Sequence, residues 1–462
     1  MVKKFIAVLL CVMFLASCSQ AVELPKFVLN VGVGADYDGE VITIYNEEKS
    51  VLAYADMNSI QSDAIWKRLA DTEEKLNVQF EYSNKGSIEF REYYIATLAS
   101  GLGDIDLIYR SAGNDLWFLA EAGGLYPMTD FPDYIDLKDS DKYGTPGVLE
   151  ACMHNGVPYA VQPSYWPGLQ GVECFYVAYN RDMFASYGLP DLHQYYEDGT
   201  WTWDTFKSFL DLAEPVITAP TLLFHAHGGF LLNTLFRSNG FDYITIENGE
   251  VEMSISSPDA IRSIEFFKTL TEYGSKIELD ADRWETEEFY NGEALTTMAT
   301  AQDVTTGQIA YASAFKYSIM PFPAGPDSEY GKWAQTTTRI YGLAIPLTAE
   351  EPEIVAHVIN ELCEPLEEFG GSREGIYDYY RDSVFHTDLD VEIYLAVEKD
   401  VRYDYDDARI IDDYCTVIAR LAKNSSPIEL IQSHMGTAEK VFKKYMEGNL
   451  KNYMIEALNI TE

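Results

Sequence analysis

The chain has 462 residues, with 33 Lys plus Arg against 74 Asp plus Glu and a formal charge of −41. A surface this acidic repels phosphate backbones, which excludes nucleic acid as a partner. The length exceeds what one ordinary hydrophobic core organises, so two lobes are expected.

Lys3 and Lys4 precede an apolar run from Phe5 to Ala16, the pattern of a secretory signal and too short for a stable transmembrane helix. Leu15-Ala16-Ser17-Cys18 resembles a bacterial lipobox, in which the cysteine thiol is acylated and the chain is cut just before it. Residues 1–17 are therefore read as a lipoprotein signal peptide, Cys18 as the lipid attachment and residues 18–40 as a tether. Of the later cysteines, Cys152, Cys174, Cys363 and Cys415 form neither a disulfide framework nor a zinc spacing. A Cys152–Cys174 bridge stays open beside the alternative of two buried thiols.

Downstream, SVLAYADMN reads as a strand and SDAIWKRLADTEEKLN as an amphipathic helix with Ile65, Leu69 and Leu76 on one face. VQFEYS is a strand, IEFREYYIATLASGLG a helix closed by glycine, and DIDLIYR a strand. Such alternation predicts an α/β fold with a parallel sheet, whose ligands bind at the carboxyl ends of the strands. Thr202 caps WDTFKSFLDLA, and Ser257 with Pro258 opens DAIRSIEFFKTL. From Glu353 onward the chain reads as mostly helical. No polar linker divides it, so the lobes should be joined by several crossing segments.

No GxSxG, HExxH or Walker-type loop is present. His225-Ala226-His227 is a candidate metal pair, but ordinary packing is expected rather than metal binding. No cofactor is expected.

Several segments resemble one family in order. FREYYIATLASGLGDIDLIYRSAGNDLWFLAEAGGLYPMTDF, GVPYAVQPSYWPGLQGVECFYVAYNRDMFASYGLPD and TWTWDTFKSFLDLA are followed by LLNTLFRSNGFDYI, FYNGEALTTMAT, IMPFPAGPD and YGLAIP. Together they are similar to the extracellular solute-binding proteins of ABC importers, the carbohydrate-type family 1, in its lipoprotein form of Gram-positive type. Thr205 stands where that family usually has glutamate. The resemblance implies a two-lobed, type II periplasmic-binding-protein-like fold with a ligand cleft and three hinge crossovers. These are expected within Val157–Val172, near Ile319–Pro323 and around Ala349–Glu364, giving lobe 1 at 41–163 and 320–360 and lobe 2 at 164–319 and 361–462.

The implied function is a membrane-anchored extracytoplasmic receptor that closes on a sugar or oligosaccharide and delivers it to a permease. A monomer and no enzymatic activity are expected. A surface glycan-binding lipoprotein without a transporter and a carbohydrate-active hydrolase are the alternatives. A sugar cleft needs aromatic platforms, each adding roughly 0.5–1.5 kcal/mol beyond area burial, and a few polar groups. On the first lobe the candidates are Tyr109 and Arg110 at a strand end, Trp117 at a helix start, and Arg339 and Tyr341 before a returning strand. Tyr165 and Trp166 lie in the first crossover, while Trp284, Gln302 and Asp303 belong to the second lobe. Where many family members carry a stacking tryptophan, this chain has Gln302 and Asp303. Arg110 and Arg339 either meet an acidic sugar or pair with neighbouring carboxylates. Trp201 and Trp203 are read as lobe packing.

Overall fold

Strand–helix alternation gives two separate sheets, each with its own helices. The computed structural model describes residues 35–433 and 436, apart from 47–59, 84–92, 95, 99, 101–102, 112–114, 145, 167–173, 242–243, 248–249, 281–285, 334, 337–339, 400, 403–407 and 423. Residues 36–462 make one compact unit. The expected signal peptide, Cys18 and the tether as far as residue 34 lie outside the described residues, as does the expected strand SVLAYADMN.

The first strand described, β1 (Glu40–Asn46), is EVITIYN. Asp38 and Gly39, at φ 55° and 79°, turn the chain into it, and Ile42, Ile44 and Tyr45 are buried. Helix α1 (Ile60–Leu76) sets Asp63 in its first turn and Lys75 in its last, which suits the helix dipole. Its expected apolar face holds, with Ile65, Leu69 and Leu76 all buried. The strand β2 (Val78–Ser83) returns parallel to β1, and β3 (Leu107–Ser111) pairs parallel with β1 on its other side. After α2 (Trp117–Glu121), α3 (Ser140–Tyr143) and α4 (Pro146–Ala151) comes the hairpin of β4 (Met153–His154) and β5 (Val157–Pro158). Its Asn155-Gly156 turn has φ 51° and 75°, the combination a tight two-residue hairpin requires.

The second sheet opens with β6 (Phe175–Asn180), every residue buried. Three helices follow, α5 (Arg181–Tyr187), α6 (Leu192–Glu197) and α7 (Trp203–Ala213). Thr205, in place of the usual glutamate, closes the α7 capping box by accepting from the Thr202 N–H at 2.7 Å. Trp201 and Trp203 are packing residues: Trp201 Nε1 donates to the Pro321 carbonyl at 2.8 Å, and Trp203 stacks on Phe266. Next come β7 (Leu222–His227), α8 (Gly228–Ser238), the hairpin of β8 (Ile244–Glu247) and β9 (Glu250–Met253), and α9 (Pro258–Thr271) behind its Ser257 cap. The sheet is completed by β10 (Ile277–Asp280), α10 (Glu287–Tyr290), β11 (Ala294–Thr300), α11 (Ala301–Thr305), α12 (Gln308–Ala312) and β12 (Tyr317–Pro321). Strand order is β10-β7-β11-β6-β12, with β6 antiparallel to both neighbours.

The chain then leaves through β13 (Gln335–Thr336) and enters the first sheet as β14 (Tyr341–Ala344), antiparallel to β3, in the order β14-β3-β1-β2. Helix α13 (Pro352–Leu362) lies against α1. Beyond it are α14 (Arg373–Tyr379), a π-helical turn at Tyr380–Val384, α15 (Asp388–Lys399) against β12, β15 (Val401–Arg402) paired with β13, and α16 (Ala408–Ala422) against α8.

The chain thus goes from the first sheet to the second between β3 and β6, returns between β12 and β14, and after α13, which packs on α1, runs on to α15, which packs on β12. Ile319 to Pro321, expected at a crossover, are strand residues of the second sheet, and the passage follows them. Asp390 is fully buried and ties α15 to β12, accepting from Ile319 N at 2.9 Å, Ser318 Oγ at 3.1 Å, Thr387 N at 3.1 Å and Thr387 Oγ1 at 2.8 Å. Cys152, Cys174, Cys363 and Cys415 are all buried thiols, so no bridge joins Cys152 to Cys174.

Candidate functional site

Register fixes which loops share an edge of each sheet. In the first sheet Asn46 lies opposite Tyr109 and Tyr341 opposite Ser111. The carboxyl ends of β1 and β3 and the start of β14 therefore share one edge. In the second, Asp280 lies opposite His227, Thr300 opposite Phe175 and Pro321 opposite Tyr176. That edge collects the ends of β7, β10, β11 and β12 with the start of β6. Elements leaving the two edges meet: Tyr311 of α12 donates its hydroxyl to Gln61 Oε1 in the first turn of α1.

Tyr109 and Tyr341 are brought together, ring centroids 5.5 Å apart and nearly parallel at 24°. Tyr109 is buried in the strand and Tyr341 half-buried. Gln162 Nε2 donates to the Tyr341 carbonyl at 3.3 Å, which fixes β14 against the first passage. Arg110 has no exposed surface: Nε donates to Asp115 Oδ2 at 2.6 Å, and the guanidinium lies over the Tyr45 ring at 5.5 Å. Its charge is used within the lobe, on a carboxylate. Trp117 is half-buried and meets the His154 ring edge-to-face at 5.2 Å.

Tyr165 is half-buried. Burial raises its phenol, with Asp141 and Asp139 adding to the shift and Arg373 opposing it. That set of neighbours puts its hydroxyl in the field of both α3 and α14. Trp166 departs from the expectation of a stacking platform. It has no exposed surface, and its indole N–H donates to the Leu362 carbonyl at 2.9 Å. A helix leaves its last carbonyls without intrahelical partners, and Trp166 answers one of those of α13. Both faces of the ring are covered by protein in this conformation.

Gln302 and Asp303 lie in the first turn of α11, both half-buried. Asp303 Oδ2 accepts from Thr300 N and Thr300 Oγ1, each at 2.8 Å, so this carboxylate closes a capping box. Burial pushes its pKa up and the Thr300 bonds pull it down. Trp284 and Arg339 lie outside the described residues.

Some residues at these edges carried no sequence signal. Phe230 packs on His227 at 4.5 Å and on Phe175 at 5.6 Å, a small aromatic group at the edge of the second sheet. His227 caps α8 by accepting from Phe230 N at 3.2 Å, while His225 is buried within β7. Gln61 and Tyr311 belong to no motif. Burial raises the Tyr311 phenol well above its ordinary value, and the Tyr379 hydroxyl beside it adds to this. Tyr379 ends α14, where the helix widens into its π turn, a feature frequent at functional positions. A groove of about 660 Å³ runs between α1 and α13 instead, lined by Lys67, Arg68, Lys75, Glu361, Glu364 and Glu368. The Lys75–Glu361 pair at 2.6 Å lies within that lining. Among the described residues no cluster could hold a metal ion, and no helix is long and apolar enough to cross a membrane.

A family model described as bacterial extracellular solute-binding protein matches residues 67–365. Among curated proteins none matches the chain. Solved structures that resemble it include an ABC substrate-binding protein from Listeria monocytogenes in complex with cycloalternan, 14% identical, TM-score 0.64, covering 87% of this chain and 99% of that one. Maltose-bound MalE3 of T. maritima is 16% identical, TM-score 0.63, covering 87% and 100%. UgpB from Mycobacterium tuberculosis in complex with glycerophosphocholine is 17% identical, TM-score 0.64, covering 88% and 100%. Identities this low speak to fold: two lobes of mixed α/β structure.

Proposed function

The chain belongs to the bacterial extracellular solute-binding proteins, and from that premise we propose that it is the receptor of an ABC importer that captures a sugar or oligosaccharide between its lobes. The extent of the family match supports this reading, because residues 67–365 include strands of both sheets. Neighbours of this fold whose structures hold cycloalternan and maltose make a saccharide the first ligand class to try. The three passages serve as the hinge. A solute favours the closed form through contacts it makes with both lobes at once. Tyr341 and Trp117 on the first lobe and Tyr165 in the first passage supply aromatic surface, and Gln302 with the Phe230 group supplies the facing side. Cys18, once acylated, would keep the receptor beside its permease at high effective concentration.

A thermal-shift panel of mono- and oligosaccharides tests this. A sugar present at 100 times its dissociation constant adds about 2.7 kcal/mol, and small-angle scattering should register compaction with the same sugar. A panel without any shift, or turnover of the sugar into shorter products, would remove the proposal.

A further inference from the structure

Gln61 sits in the first turn of α1, only 2% exposed. Its Oε1 accepts the hydroxyl of Tyr311, 250 residues further on and on the other lobe. Its Nε2 has no hydrogen-bond partner among the described residues. A buried amide donor left unmade is costly, so a structure keeps one where something else takes the bond. The carbonyl and amino groups share one planar carbon. Fixing the carbonyl on Tyr311 therefore also fixes the direction of the NH₂.

Charge selects the acceptor. Asp63 lies in the same turn, and the whole chain carries −41. An anion would be repelled, whereas a neutral hydroxyl would not. A hydroxyl also donates and accepts, so it satisfies whichever amide atom Tyr311 leaves over.

We propose that Gln61 is a ligand-contacting residue, its side-chain amide bonding a hydroxyl of a neutral polyhydroxy solute bound between α1 and α12. Tyr311 is a positioning residue that orients the amide from the opposite lobe. This rests on the receptor reading given above and names one contact within it.

The test uses the purified chain with maltose, maltotriose, cellobiose and sorbitol, and takes the tightest binder into isothermal titration against Gln61→Leu and Tyr311→Phe. Gln61→Leu should weaken that binder roughly ten- to hundredfold. Tyr311→Phe keeps the amide and should weaken it by less than about tenfold. Without ligand, the Gln61→Leu melting midpoint should hold or rise, since an unmade donor has been removed. A purely structural glutamine would instead lower the midpoint and leave affinity alone, which overturns the inference. Should the leucine variant not fold, Gln61→Asn withdraws the amide by one methylene, with the same expected loss of affinity. If no compound in the panel binds the unaltered chain, the saccharide reading falls and this contact with it. If binding survives Gln61→Leu and Gln61→Asn, only the contact falls.

Discussion

Replacing Trp166 with phenylalanine separates a buried fastener from a stacking platform. The indole N–H is the group that meets the Leu362 carbonyl, at 2.9 Å. Phenylalanine removes it and leaves that buried acceptor unpaired, at a cost of about 1–3 kcal/mol. The smaller ring also leaves a void of a few methylenes, adding about 1 kcal/mol. Urea unfolding of the unliganded chain should therefore show a loss of roughly 2–4 kcal/mol, a large share of the ~5–15 kcal/mol a domain commonly has. A surface platform would behave otherwise, since exposed substitutions usually stay within about ±0.5 kcal/mol. Saccharide affinity should shift by no more than about threefold, because both ring faces are already covered. A variant as stable as the parent would refute the argument, and so would one that loses binding while keeping its stability.

Asp390→Ala strips the acceptor shared by Ile319, Ser318 and Thr387, and should cost about 3–5 kcal/mol in chemical denaturation; Asp390→Asn, which keeps one acceptor oxygen, should cost clearly less. Burial lowers the pKa of His154, His357 and His386 from the ordinary 6.5. The unfolded chain then takes up protons that the folded chain refuses, so stability holds above pH 6.5 and falls as the pH drops below it. Urea midpoints at neutral pH and near pH 5.5 should differ, and His357→Gln should shrink the difference; midpoints that rise on acidification would contradict this. Cys18→Ala should move the protein from the membrane fraction into the medium of its host, as fractionation and blotting would reveal; retention on the membrane would count against the lipid anchor.

Local rules carried the parts of the fold that depend on local chemistry. Thr202 and Ser257 cap the helices expected of them, and the 3.6-residue spacing of Ile65, Leu69 and Leu76 gives the buried face of α1. The opening strand was less legible. EVITIYN lay where a tether was expected to end, and its pairing partners are 38 and 63 residues away, as Glu40 with Val78 and Ile44 with Leu107 show. Site residues followed the same division. Tyr109 and Tyr341 were readable as strand ends, whereas Trp166 was expected to face the cleft because it lies in the first crossover. The carbonyl that captures it belongs to a helix almost 200 residues later, separated by 196 positions. Arg110 found its carboxylate five positions on, at Asp115. The Gln61–Tyr311 contact has no sequence signature, since it exists only once the two lobes are folded and placed.

The buried sulfurs have a consequence for handling outside the cell. Burial pushes the Cys152 thiol up to about 12 and raises Cys363 as well. At neutral pH a thiol raised so far is almost wholly protonated, and the thiolate is the form that attacks peroxide or a disulfide. In the folded chain Cys152 and Cys363 are therefore slow to react with oxidants or disulfides while they stay buried. Maleimide capture at these sulfurs would instead clock how often the interior opens.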